Sequence, residues 1–487
     1  RSAAQREAQK VATVAPVWIM PEYRIAEQLP PDIEAFDLVI LDEASQSDIT
    51  AVAALARGKQ VLIVGDEEQV SPTNVGIPKQ KIDALRAQYL GNLPNADLID
   101  ENTSIFEITL RMFPQNHLIL KEHFRCAPPI IQFSTQFYNN RLIPIRVPKA
   151  SERFDPPLVD VFIEQATRKG KTNLQEADFI VEEIYKIVSD PSNDKRDIGV
   201  VSLIGPEQAN LIENLLLKHE KIGPEVIRER NIICGDARTL QGQERSIIFL
   251  SMVATPTSVI AQTKREIQQR YNVAMSRGKD RVYLVRSVEL SDLKSTDIKS
   301  KLLKHFENPM PEGQKIMGND ALELCDSGFE KEVLTRLLDA GYRAKPQVAA
   351  GAYRIDIVVE GHEDRRLAIE LDGDAYHGPD KWADDMHRQS ILERAGWVFW
   401  RVFGSQWQSN KEYWWAHLIQ TLDAMAIEPI GSEGSNGAFV QYLLVPKPPA
   451  NNASISNHLN DKIVGSVPVL NDFHSEERTN ENTQITS

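Results

Sequence analysis

From residue 37 to about residue 287, short runs of apolar and β-branched residues recur between longer stretches of helical period. The runs are FDLVILDEAS, KQVLIVGD, LVDVFI, DIGVVSLIG, RSIIFLSMV and RVYLVRS. Near-continuous apolar runs belong to strands covered on both faces, and their alternation with helices predicts a parallel sheet between two helical layers. Pro128, Pro129, Pro144 and Pro148 punctuate the segment where one α/β unit gives way to another. We place that boundary near Pro114, before an expected strand HLIL, so that residues 1–114 end one unit and 115–290 form the next.

The pattern changes after residue 289. Residues 289–320 are polar and Lys-rich and carry Pro309, Pro311 and Gly313, which predicts a helix and a linker over 291–325. A second compact unit follows over 326–428: a helix (FEKEVLTRLLDAGY), two strands (YRIDIVVE and RLAIELDG), a charged helix (DKWADDMHRQSILERAG), a strand (WVFWRVF) and a last helix with three Trp. The fold class expected is therefore α/β throughout, the second unit being small. Residues 429–487 are rich in Asn, Ser and Pro, the composition of a disordered tail.

Composition adds limits. A chain of 487 residues predicts two to four domains, and its net charge of −14 argues against one that coats nucleic acid or anionic membrane over broad surfaces. A local basic groove remains allowed. Cys126, Cys234 and Cys325 form neither a CxxC pair nor a disulfide framework, which suits free thiols and a cytoplasmic setting. No apolar stretch is long enough to span a bilayer. The chain starts on Arg1 without a Met and is strand-like within about twenty-five residues, so we expect it to begin inside a larger protein.

Asp42 and Glu43 end an apolar strand, where a parallel sheet displays its ligand-binding residues. Adjacent acids there suit Mg²⁺ and an attacking water, although for that pair taken alone two acids at a solvated strand end are the favoured reading. The next strand also ends in a polar cluster, with Gly65, Asp66 and Gln69. Further on stand Arg125 in EHFRCAPPI, Thr239, Gln241, Gly242 and Glu244 in TLQGQERSIIFLSMV, and Asn272, Ser276 and Arg277 in QQRYNVAMSRGKDRVYLV. Two separated arginines can both neutralise charge in a phosphoryl-transfer transition state.

Taken in order, these segments resemble the later motifs of superfamily 1 helicases, in the branch of the nonsense-mediated-decay helicase, over roughly residues 14–290. The resemblance implies two RecA-like domains, ATP between them and a single nucleic-acid strand across both. It makes Asp42 the metal-binding acid, Glu43 the catalytic base, Gln69 the coupler of nucleotide to strand, Arg125 and Arg277 arginine fingers, and Glu244 a residue near the bound nucleotide, with Gly65, Asp66, Gln241 and Gly242 lining the same cleft. No GxxxxGK[ST] loop occurs anywhere in the chain, so on its own it is expected neither to bind ATP tightly nor to hydrolyse it.

In the second unit Asp356 interrupts an apolar strand, and Glu370 and Asp372, two apart, share a face of the next. Three carboxylates brought together repel unless a cation offsets them, which points to Mg²⁺ or Mn²⁺. Glu330 in the preceding helix can add a ligand or hold a water. His377 can act as base or protonate a leaving oxygen, and Arg388, next to His387, can contact phosphate. The bland alternative makes the acids solvated strand ends. Trp382, Trp397, Trp400 and Trp407 read better as core than as base-stacking platforms, with WVFWRVF expected as a central strand.

Residues 327–407 resemble the restriction-endonuclease-like fold, in the branch similar to the very-short-patch mismatch-repair endonuclease. The resemblance rests on Phe329-Glu330, Asp356, Glu370-Leu371-Asp372-Gly373, His377, Arg388-Gln389 and the strand at 396–403, and it makes Asp356 the principal metal ligand. Asp372 stands where the wider fold often has Lys, which leaves the general base open. The expectation is an ATP-dependent helicase portion coupled to a metal-dependent endonuclease acting on DNA, in repair or in defence against foreign DNA. The alternatives are a helicase whose nuclease-like domain only binds nucleic acid, and a scaffold in which both sites have decayed.

Overall fold

The computed structural model describes residues 15–29, 33–70, 79–91, 96, 99, 103–154, 156–310, 321–350, 353–373, 379–431 and 439–446. The two runs FDLVIL and GKQVLI form parallel strands β1 (Phe36–Leu41) and β2 (Gly58–Ile63), paired from Phe36 with Gly58 to Leu41 with Ile63. Helix α1 (Ile105–Met112), opened by a capping box between Ser104 and Glu107, buries Ile105 and Ile108 against Leu41, Ala44 and Ala51. Leu38, Ile40, Val61 and Leu62 on this sheet are exposed.

Helix α2 (Pro128–Thr135) leads into the second unit, whose strands are β3 (Leu158–Ile163), β4 (Ile198–Ser202), β5 (Ile233–Asp236), β6 (Arg245–Ser251) and β7 (Gly278–Arg286). They lie in the order β3-β7-β6-β4-β5, with every neighbouring pair parallel. Every residue of β4 and β6 is buried, as their continuous apolar runs require. Helices α3 (Leu174–Ser189) and α4 (Pro206–Lys218) cover one face; α2, α5 (Arg265–Ser276) and α6 (Ile298–Glu307) cover the other.

Several expectations change here. HLIL is not a strand: Leu118 and Leu120 are exposed. The 291–325 segment is not simply a tether, because α6 buries Ile298, Leu302, Leu303 and Phe306 in the core.

The third unit opens with α7 (Gly328–Asp339) and builds a sheet in the order β8 (Arg343–Ala350), β9 (Tyr353–Glu360), β10 (Arg366–Asp372) and β11 (Phe399–Phe403). The first three strands are antiparallel and β11 runs parallel to β10 after the crossover helix α8 (Pro379–Arg394). β11 is thus an edge strand, not a central one, although Trp400 and Val402 on it are buried. β8 escapes detection from sequence because Lys345 and Pro346 break its apolar pattern, and an edge position tolerates that proline. The Trp-bearing segment folds as two helices, α9 (Gly404–Ser409) and α10 (Lys411–Ala424). Trp397, Trp400 and Trp407 are buried, in keeping with the core reading.

Strand β12 (Val440–Val445) returns to the second unit and pairs in parallel with β3, extending that sheet to six strands. Part of the segment expected to be a disordered tail is therefore an edge strand.

The second and third units are docked by residues 143–153. Ile145, fully buried, packs with Ile355, Val358, Ala368 and Trp397 of the third unit. Arg366 donates to Val147 O at 2.7 Å and lies 3.7 Å from the Trp397 ring centre, the Ser151 amide donates to Asp364 at 2.8 Å, and Arg153 pairs with Glu360. Truncating Ile145 to alanine should remove about 2 to 5 kcal/mol from this contact. We expect Ile145→Ala to split thermal unfolding into two transitions; a single unchanged transition would contradict the docking.

Candidate functional sites

Glu43 follows β1 in a left-handed turn, φ +53°, with its amide donating to the Asp42 carboxylate at 2.9 Å and the Gln46 side chain donating to Glu43 at 3.1 Å. A non-glycine residue in that region is uncommon, and such outliers cluster at functional sites. Both acids are exposed at the strand end.

The neighbouring loop is clamped against the second unit. Asp66 accepts from the Tyr138 hydroxyl at 2.6 Å and from Gln69 at 3.0 Å, and Asn272 donates to Tyr138 at 3.0 Å and to Glu68 O at 2.9 Å. Burial and Asp66 together push the Tyr138 hydroxyl pKa up. Gly65 serves packing, since a Cβ there would come within 2.7 Å of the Phe106 ring. Asp66 points into this protein network, which makes it a holder of the loop and not an obvious nucleotide contact.

Arg277 lies among the charged groups of the cleft. It is buried, its Nε meets no partner, and its nearest bond is a long one to Gln69 Oε1 at 3.4 Å. Burial first, and then Arg125, lower its pKa, while Glu43, Cys126 and Glu244 oppose that shift. Arg125 pairs with Glu244 at 2.5 Å. The structure thus brings Glu43, Gln69, Arg125, Glu244 and Arg277 together from five segments of sequence. A buried arginine with an unmet N–H beside a second arginine fits an anionic group such as a terminal phosphate. Gln241 and Gly242 lie in the turn before β6; the Gln241 amide donates to Arg238 O at 3.1 Å, its side-chain nitrogen is buried without a partner, and Gly242 has φ +75°.

In the third unit, β9 and β10 are paired up to Ile357 and Ile369, so the next residues, Asp356 and Glu370, face each other across the strands. The Leu371 amide donates to Asp356 at 2.7 Å. Burial, then Glu370, raises the Asp356 pKa to about 7, and burial raises that of Glu370, against the pull of Arg388, whose guanidinium sits 3.1 Å from it. Arg388 also donates to Arg354 O.

The remaining candidates are placed differently. Glu330 accepts from Ser327 at 2.8 Å, from the Asp326 amide at 3.0 Å and from Gln347 at 2.7 Å, so it is engaged in the first turn of α7, behind the N-cap Ser327, and is not a free metal ligand. Asp372 lies 3.2 Å from Arg401 Nε on β11. His377 lies outside the described residues. Among the described residues no group of three His, Cys, Asp or Glu is arranged to hold a metal ion. The donor set that fits Mg²⁺ or Mn²⁺ is therefore the pair Asp356 and Glu370, because Mg²⁺ commonly takes one or two carboxylates and leaves its other positions to water and phosphate. A half-buried and a buried carboxylate with raised pKa values, Asp356 and Glu370, are what a cation would hold ionised.

Sequence reasoning missed Tyr138 and Gln347. Neither stands in a motif, and each shows its role only through a long-range bond, 72 residues to Asp66 and 17 to Glu330. Among the described residues no helix is long and apolar enough to cross a membrane.

Comparison with known proteins finds matches over both regions. Residues 101–289 match an AAA domain family (AAA_12), and residues 329–422 match the restriction-endonuclease family REase_MTES_1575. The chain is 25% identical over 431 residues to an uncharacterised ATP-dependent helicase, the MG140 homologue of Mycoplasma pneumoniae, covering 81% of this chain and 37% of that protein. It is 26% identical over 326 residues to the DNA replication ATP-dependent helicase/nuclease DNA2 of Saccharomyces cerevisiae, covering 59% of this chain and 19% of that protein. The chain thus spans less than two fifths of the length of these curated relatives. Residues 101–289, which contain most of the six-stranded parallel sheet with Arg125 and Arg277 in the turns beside it, are thus similar to a superfamily 1 helicase-like AAA domain, and residues 329–422, whose four-stranded sheet carries Asp356 and Glu370, to a restriction-endonuclease-like domain.

Proposed function

We propose that the chain is part of an ATP-dependent superfamily 1 helicase or translocase whose second motor domain carries a metal-dependent DNA endonuclease, used in repair or in defence against foreign DNA. The observation that carries the reading is that one docked body holds two charge-dense sites, Arg277 with Arg125 and Glu43 in one, Asp356 with Glu370 and Arg388 in the other.

In the motor site Arg125 and Arg277 would take up the negative charge of a transferring phosphoryl group, Glu43 would orient or deprotonate the attacking water, and Asp42 would hold Mg²⁺, which when bound would neutralise phosphate charge. Gln69, bonded to both Asp66 and Arg277, connects the loop after β2 to the end of α5. The phosphate-cradling loop is not among the 487 residues, so this chain by itself should show no measurable ATP hydrolysis. ATPase activity of the purified chain that disappears in Glu43→Gln would contradict this.

In the nuclease site Asp356 and Glu370 would hold Mg²⁺ or Mn²⁺, which when bound supplies charge neutralisation at the scissile phosphate and a more acidic water. Arg388, now on Glu370, is within reach of a phosphate oxygen that competes for its guanidinium. Calorimetric titration with Mn²⁺ tests this site: one binding event is expected, lost in Glu370→Gln.

A second reading has an observation of its own. Arg388 supplies Glu370 with a counter-charge without any metal, and Asp372 faces Arg401, an arrangement that suits a domain that binds nucleic acid without cutting it. Under that reading the Mn²⁺ titration is silent and Asp356→Ala leaves nucleic-acid binding unchanged.

A further inference from the structure

Strands β8 and β9 form an antiparallel pair with constant register from Arg343 with Glu360 to Ala350 with Tyr353, yet the faces they present are not constant. On β8, Ala344 packs into the cluster under α7, α9 and α10, whereas Val348 and Ala350 pack into the opposite cluster, with Ile145 and Trp397. On β9, Ile357 and Val359 belong to the first cluster and Ile355 to the second. Residues separated by an even number should share a face of a strand, so the ribbon turns over between these positions. The turnover falls at Gln347 and Asp356, the facing pair skipped between Pro346 with Ile357 and Val348 with Ile355. Gln347 has φ +51°, a left-handed conformation in the middle of a strand.

The Gln347 side chain uses that conformation. Its amide nitrogen donates to Glu330 Oε2 at 2.7 Å and its oxygen accepts from Arg354 at 3.4 Å. Glu330 is buried, and its charge acts on Asp356. One residue therefore turns the ribbon at the candidate metal ligand and ties the α7 carboxylate to the edge of the site. Non-glycine residues pay a strain of order 1 kcal/mol for such a conformation, and strain of this kind is retained where the surroundings enforce it.

We propose that Gln347 is a positioning residue of the nuclease site, its left-handed backbone and its amide together setting where Asp356 and Glu330 stand relative to Glu370. The proposal rests on the nuclease reading above. It goes beyond that reading in assigning a role to a residue that touches neither metal nor substrate.

The test separates the two parts of the role in the full chain. Gln347→Gly keeps the left-handed turn, which glycine adopts without strain, and deletes the amide. Gln347→Asn keeps an amide one methylene shorter on a residue type that tolerates the same region. Three quantities are read for each: the thermal midpoint in EDTA, the Mn²⁺ affinity by calorimetry, and Mn²⁺-dependent nicking of supercoiled plasmid. For Gln347→Gly the expected result is a midpoint in EDTA equal to or above that of the wild type, Mn²⁺ affinity lower by about fivefold or more, and nicking lower by about tenfold or more, of the order seen when partners that orient metal ligands are removed. Gln347→Asn should fall between Gln347→Gly and the wild type. Wild-type affinity and nicking in Gln347→Gly overturn the proposal while leaving the nuclease standing. Loss of stability with loss of nicking no greater than the loss of folded protein also overturns it, since Gln347 is then structural only. A wild-type chain that neither binds Mn²⁺ nor nicks overturns the nuclease reading itself, and the proposal with it.

Discussion

Asp356→Asn is expected to abolish nicking, by about 100-fold or more, and at the same time to raise the thermal midpoint of the metal-free protein at pH 8. The sign follows from the direction of the shift. Burial and the neighbouring Glu370 raise the Asp356 pKa to about 7, well above the ordinary carboxylate value. The protonated group suits the folded site, so its contribution is fully present below about pH 4 and is lost as pH rises through about 7. Three units correspond to about 4 kcal/mol as an upper bound on the strain that an ionised Asp356 places on the fold at pH 8 without a cation. Asparagine removes that strain while still accepting the Leu371 amide. The gain should be several degrees at pH 8 and close to nothing at pH 4 in EDTA. A midpoint that changes equally at both pH values would mean that Asp356 carries no raised pKa. Structural carboxylates behave in the opposite way, since replacing a paired acid lowers stability at neutral pH.

The second large effect belongs to the motor. In a form of the protein long enough to include a phosphate-cradling loop, Arg277→Ala should lower kcat for ATP hydrolysis by about 10³-fold or more, the magnitude associated with arginines that act on the transferring phosphoryl group. Arg277→Lys should recover little, because a point charge cannot replace a planar donor fork. Nicking by the nuclease should be unaffected in the absence of ATP. A kcat within tenfold of the wild type would assign Arg277 to structure, where its buried and incompletely bonded guanidinium would then need another explanation.

What the sequence disclosed and what it hid follow a physical division. Strands buried on both faces are written as unbroken apolar runs, and β3, β4, β6 and β7 are legible for that reason; β1 and β2 carry the same kind of run although half or more of their residues are exposed. Edge strands need not be: β5 is four residues long, β8 contains Pro346, and β12 joins β3 from nearly 280 residues away, so no local pattern announces any of them. HLIL misled because four apolar residues beside a boundary look like a strand, whereas Leu118 and Leu120 lie exposed.

The same division applies to the sites. Arg125, Arg277 and Glu43 were readable as separate polar ends of apolar segments, and the fold supplies what spacing cannot, namely their mutual approach. Glu330 was readable as an acid near the nuclease strands, but its bonds to Ser327, Asp326 and Gln347 depend on the start of α7 and on β8. Asp372 shares a face with Glu370, as strand period requires, yet Arg401 from the crossover strand lies beside it. Tyr138 and Gln347 carried no pattern, since a single bond to a distant residue leaves no trace in local sequence.

The measurement that bears most directly on the account is nicking of supercoiled plasmid by this chain in Mg²⁺ or Mn²⁺, without ATP, beside Asp356→Ala and an EDTA control. The account predicts relaxed plasmid from the wild type only when the metal is present, and none from Asp356→Ala. An intact plasmid after incubation with folded wild type in either metal, or equal nicking by Asp356→Ala, would contradict it.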